Sequence, residues 1–361
     1  MTIFENDAYK FTLSPEELFI DHSKTGRGGH LGHAMVEYAD NKLLCFYPNC
    51  SGDIHEGHSG DGWMEYKRSI DGGKTFSESF IYPYSKTLHE LDFGVTSMSE
   101  KAVALDDGTI VVFNVLCDIA ESKGAAWGDH QYATYTRSFD GGKTWTKGKR
   151  VSSLCGRLFD ANVKDGAIYV LFRQVKRNKS AIEILDGCYY LFRSTDGGES
   201  FEEVSTILFP ENEMKRTFYG TMQWCPDGAL MMYGYNADDE FNMRYYKSYD
   251  SGKTWNETGK AHFNLGIRNP QLVRFKDAFF MFGRSEMVKG DFVVYCSDDG
   301  MIFGDGTIVQ KRQNKLGAYS NTLPLGRFSE GGIDKVLIQA SNAYSESRTN
   351  IYHWFLEAVE K

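Results

Sequence analysis

SIDGGKTF, residues 69–76, is the stretch on which the fold turns. The chain repeats it as SFDGGKTW at 138–145, STDGGESF at 194–201 and SYDSGKTW at 248–255. A shorter copy, SDDGMIF, stands at 297–303. Each copy follows an aromatic or β-branched run (WMEYKR, QYATYTR, CYYLFR, FNMRYYK, DFVVYC), so each is read as a turn ending a strand. The Asp side chain of such a turn accepts from its own backbone N–H groups, and the glycines permit positive φ. The closing Trp or Phe is expected to fold back onto its own sheet. These turns are structural, since none carries a group poised for chemistry.

Between them runs a second series of strands, beginning near His33, Ser99, Phe159, Tyr219, Arg268 and Tyr319. Most are followed by a tight turn (DDG, KDG, PDG) and a very apolar strand such as TIVVFN, ALMMYGY or AFFMFGR. Six units at a spacing of about 50 to 65 residues predict an all-β chain, a six-bladed β-propeller forming one domain over 1–361. The sixth unit lacks the repeated turn, and the leading segment, residues 11–21, is expected to complete its blade.

Composition agrees. Aromatic residues make up 14% of the chain, with 37 Gly and only 7 Pro, which suits short strands joined by tight turns. A net charge of −9 with no basic run argues against nucleic acid or an anionic membrane as partner. No apolar stretch approaches the ~20 residues that span a bilayer. The N-terminal residues show no signal-peptide pattern, and the 7 cysteines lack metal-ligand spacing. Together these predict a cytoplasmic protein with reduced thiols.

The repeated turns resemble the Asp-box repeats of the sialidase (neuraminidase) superfamily, and the resemblance covers nearly the whole chain. It implies a propeller with its site at one end of the ring. There, three arginines would hold a substrate carboxylate, a Glu would assist a nucleophilic Tyr, and an Asp would serve as acid/base. GAYSNTLPL resembles the strand bearing that tyrosine and makes Tyr319 the nucleophile. Elsewhere the chain departs from the pattern. His33-Ala34-Met35 stands where the family's first strand opens with Arg-Ile-Pro, and Tyr219 replaces the helper glutamate. Tyr233-Gly234-Tyr235-Asn236 stands where Asn-Ala-Arg would end a strand. At most one of the three arginines survives, as Arg268 in GIRNPQLV or Arg284 in FMFGRS.

Four of nine histidines, His30, His33, His55 and His58, fall close together in sequence. In a propeller His33 heads the first inner strand, and the loop carrying Asp53, His55, Glu56, His58 and Asp61 returns to the same mouth. Metal binding by several imidazoles, loop histidines without a role, and catalytic or sugar-binding histidines are the competing readings. No metal or cofactor is assigned. The preferred chemistry is glycoside hydrolysis of a carbohydrate, an exo-acting removal of an acidic or related sugar. Asp53 or Asp61 would be the acid/base, Tyr319 the nucleophile, and Arg268, Arg284, His30, His55, Glu56, His58 and Tyr235 substrate-binding. The alternatives are uronate elimination through His33, Tyr219 and Arg268, and a glycan-binding propeller in which tyrosines and Trp63 or Trp127 stack on sugars.

Overall fold

The computed structural model describes residues 1–51, 60–91, 95–118, 129–178, 181–214, 217–287, 290–313, 318–346 and 348–361. It is almost entirely antiparallel β-sheet, with short helices at Pro83–Leu91 and Glu211–Met214. No described helix is long and apolar enough to cross a membrane.

Six strands each open a sheet: Met35–Ala39, Val95–Ala104, Lys149–Lys164, Thr217–Trp224, Arg268–Phe275 and Ser320–Leu325. Each pairs antiparallel with the apolar strand that follows it in sequence. Lys149–Lys164 does two jobs. Its first half pairs with Tyr132–Ser138 of the preceding sheet and its second half with Ala167–Asn178, joining two sheets into eight strands. The last sheet takes strands from both chain ends, because Tyr9–Leu13 runs along Thr349–Glu360 from Tyr9↔Glu360 to Leu13↔Leu356. Each opening strand packs against the next, and Ser320–Leu325 packs against Met35–Ala39, returning the series to its start.

The core follows from this order. Both faces of each sheet are covered by a neighbour, so the second strands read as nearly continuous apolar runs rather than alternating ones. Ile110–Asp118 and Ala278–Arg284 are buried along almost their full length. Apolar clusters fill the spaces between consecutive sheets, and Met35, Leu43 and Cys45 meet Leu325 and Leu337 between the first sheet and the last.

The repeated turns have one geometry. In the first, Ser69 Oγ donates to Asp71 Oδ1 at 2.8 Å and accepts from Gly73 N, while Asp71 accepts from the Thr75 backbone and hydroxyl. The same bonds recur about Asp140, Asp196 and Asp250. Hydrogen bonds to the ionised form hold these carboxyls down at about 2 despite their exposure. Gly142 sits at φ 78°, and a Cβ there would lie 2.6 Å from Leu44 Cδ1. That contact crosses between sheets, and the turn aromatics cross too. Trp145 packs on Phe46, Tyr66 and Tyr82 of the preceding sheet, and Phe201 packs on Phe113 and Tyr135. Phe76 likewise meets Phe19 and His353 at the chain ends. The sequence reading, which placed each ring on its own sheet, is corrected here: a turn seals the gap to the sheet before it.

Candidate functional site

Residues near the starts of four opening strands, and midway along Val95–Ala104 and Lys149–Lys164, meet in a cavity. Its wall includes His30 and His33 ahead of the first strand, Glu100, Arg157, Tyr219, Asn269 and Tyr319. Its floor is a polar knot around Lys101, which lies 2.5 Å from Gln271 Oε1, 2.7 Å from Asn321 Oδ1 and 3.2 Å from Asp160 Oδ1. Asp160 also accepts from the Thr221 hydroxyl and the Met222 N–H. Five opening strands are thus tied together beneath the cavity. Such a network, with its charge paired and bonded, fixes the register of the parts it joins.

Tyr319 and Tyr219 face each other above this floor. Their ring centroids are 6.4 Å apart and edge-on. Burial keeps Tyr219 a neutral phenol by raising its pKa, an effect the neighbouring Tyr319 reinforces. The Arg284 guanidinium lies 5.3 Å from the centroid of the Tyr319 ring, at cation–π distance. Arg157, only 5% exposed, pairs with Glu100 at 2.7 Å and reaches the Tyr219 hydroxyl at 3.5 Å. Burial opposes the Arg157 charge, but Glu100 and the two phenols outweigh it and keep its pKa above the usual guanidinium range. Burial lifts the Glu100 pKa in turn, against the pull of Arg157.

The histidines divide. His30 Nδ1 lies 2.8 Å from Ser341 Oγ, and its ring is 5.3 Å from that of Tyr319. His33 is buried, and desolvation pushes its pKa down to about 4. Asp53, His55, Glu56, His58 and Trp127 lie outside the described residues. Among those described, no group of three His, Cys, Asp or Glu side chains could hold a metal ion.

The remaining expected residues stand further out. The Asp61 side chain is exposed, 3.8 Å from His89 Nε2, and does not line the cavity. Arg268 is held by Glu240 at 2.5 Å and by Glu286 at 3.3 Å. The same Glu240 oxygen accepts from the Tyr235 hydroxyl at 2.5 Å. Arg268 and Tyr235 therefore form a carboxylate-anchored group beside the cavity, joined to it where Tyr235 packs on Tyr219 at 5.9 Å. Trp63, considered for sugar stacking, has Lys86 3.4 Å and Arg27 5.3 Å from its ring centroid.

Glu100, Lys101, Asp160 and Arg157 were not singled out from the sequence. Arg157 lies two residues before Phe159, where the third opening strand was expected to start. Carrying the two-residue alternation back from Phe159 would have put Arg157 on the same face.

No protein-family model and no curated protein matches the chain. Solved structures do. A protein of unknown function from Dyadobacter fermentans superposes with a TM-score of 0.68 at 13% identity, covering 97% of this chain and 99% of that one. The Hadza microbial sialidase Hz136 gives 0.66 at 15%, covering 96% and 68%. The Trypanosoma rangeli sialidase gives 0.62 at 12%, covering 91% of this chain and 55% of its own. The fold is sialidase-like.

Proposed function

We propose that the six sheets are the blades of a single propeller closed by Asp-box turns, and that it is a carbohydrate-active enzyme. The reaction is hydrolysis of a terminal glycosidic bond, with an acidic or related sugar as the group removed. One observation carries this: Tyr319 stands on the cavity wall with Tyr219 edge-on beside it and Arg284 within 5.3 Å of its ring centroid. A phenol in that setting can attack an oxocarbenium-like centre without the full charge of a carboxylate. The Tyr319 oxygen bonds to the anomeric carbon as the bond to the leaving oxygen breaks. The proton it gives up is balanced by the one the leaving oxygen gains, and water then reverses the exchange. Asp53 and Asp61 are the acid candidates from sequence, and Asp61 would have to turn inward from His89 to serve.

Elimination from a uronate is the second reading, favoured by Arg157 beside the Tyr219 hydroxyl. An arginine there would offset the charge that develops as a tyrosine removes the proton next to a carboxylate.

Product analysis on acidic and neutral oligosaccharides separates these readings. New reducing ends without ultraviolet absorbance support hydrolysis. Absorbance from an unsaturated uronate would replace it with elimination. Neither signal would sink the enzyme reading and leave a glycan-binding propeller.

A further inference from the structure

The polar knot around Lys101 is the floor of one cavity and the roof of another. Lys101 and Asn321 line both, and the second cavity continues along the later residues of all six opening strands. Its volume is about 340 Å³, inside the roughly 300–1,000 Å³ of small-molecule sites. Neither Tyr219 nor Tyr319 lines it.

The charges of its wall do not balance. Lys101, Lys164, Arg274 and Arg327 stand there against Glu37 and Asp160. Lys101 pairs with Asp160, and Arg327 pairs with Asp106 outside the cavity. Glu37 accepts from the backbone N–H groups of Gly326 and Arg327. Lys164 and Arg274 remain. Lys164 Nζ lies 5.6 Å from the Trp224 ring centroid, and the Arg274 backbone N–H donates to Gln223 Oε1 at 3.4 Å. Neither side chain forms an ion pair among the described residues. Three consecutive opening strands thus end in an exposed lysine, a half-buried tryptophan and a half-buried arginine. Tyr169 meets the tryptophan edge-on at 5.3 Å and fixes its plane. On a chain of net charge −9, this positive arc runs against the overall sign.

We propose that the second cavity binds a monosaccharide carrying a carboxylate, with the apolar face of the sugar ring on Trp224 and the carboxylate between Lys164 and Arg274. A guanidinium meets two carboxylate oxygens through parallel N–H groups, and a lysine at the rim adds a point charge. Both carboxylates of the wall are already engaged, so the cavity holds a ligand and carries out no acid–base chemistry on it. The site stands apart from the reaction proposed at Tyr319.

Proton–nitrogen NMR of the whole chain reads this site through the Trp224 indole N–H, assigned by its loss in Trp224→Phe. D-Glucuronate should move that resonance along a saturable curve, and glucose at the same concentrations should not. Tyr319→Phe should leave the midpoint unchanged, which separates this cavity from the one above the knot. Lys164→Gln combined with Arg274→Gln should raise the midpoint about tenfold or more, through the loss of two charge-assisted contacts. Neither side chain is buried, so the variant should fold, and the resonances of the other indoles check this. No saturable movement, equal movement with glucose, or an unchanged midpoint in the double variant overturns the proposal. If inorganic phosphate matches the glucuronate midpoint, the cavity is an anion site and the sugar assignment falls. Turnover plays no part in this readout, so failure of the enzyme reading would leave the binding result standing.

Discussion

At the scale of single residues, the cavity is held by pairs that fail when one member is removed. Arg157 is buried against Glu100. Replacing Glu100 by Gln leaves a buried guanidinium without its counter-charge, and chemical denaturation should register a loss of about 3 kcal/mol. Tyr319 differs. Its side chain is only half-buried, so Tyr319→Phe, which removes a single hydroxyl, should cost no more than about 1 kcal/mol in stability. Turnover on any sugar found to be a substrate should fall at least a thousandfold. A Tyr319→Phe variant that still turns over would move the chemistry to another residue. Both tyrosines were legible in the sequence, because each heads a strand in a recognisable repeat. Arg157 and Glu100 were not, because a charged residue inside a strand looks the same whether it faces solvent or a central cavity.

At the scale of elements, the sheets are fastened by their turns. Tyr66 donates to the Gly142 carbonyl of the next sheet's turn at 2.8 Å, and Tyr135 donates to the Glu199 carbonyl at 2.8 Å. Tyr233 does the same to Gly300 at 2.5 Å. Each hydroxyl reaches across a gap to a turn carbonyl, which Arg68 also meets at Gly142 and Lys149 at Glu199. Tyr66→Phe and Tyr135→Phe should each cost about 1 kcal/mol, and because they bridge different gaps the double variant should show their sum. A double variant no weaker than either single would mean the turns do not act as separate fasteners. The repeat made the turns themselves easy to find. It did not reveal that they reach the preceding sheet, since a turn sequence specifies its own backbone and not its neighbour.

For the whole molecule, buried neutral histidines set the acid limit. Burial pushes His22 and His33 down to about 4 and His353 to about 3, from an ordinary value of 6.5. The unfolded chain therefore takes up protons between pH 6.5 and 4 that the folded chain refuses. Their contribution is intact above pH 6.5 and is lost as pH falls toward the folded values, on the order of 3 kcal/mol for each histidine. The urea midpoint should decline steeply across that window. A midpoint flat from pH 6.5 to 4.5 would show that these rings are solvated. Here the sequence was a poor guide: His22 and His353 stand far from the conspicuous pairs, and only the meeting of the two chain ends buries them.

The sequence by itself determined the strand order, the repeated turns and the place of Tyr319. Those depend on local patterns: the two-residue alternation of strands, and the Ser, Asp and Gly chemistry that closes a turn within a few residues. The tertiary structure alone decided what surrounds Tyr319. Glu100, Arg157 and Tyr219 come from different opening strands, and they meet Tyr319 only because those strands converge on one cavity.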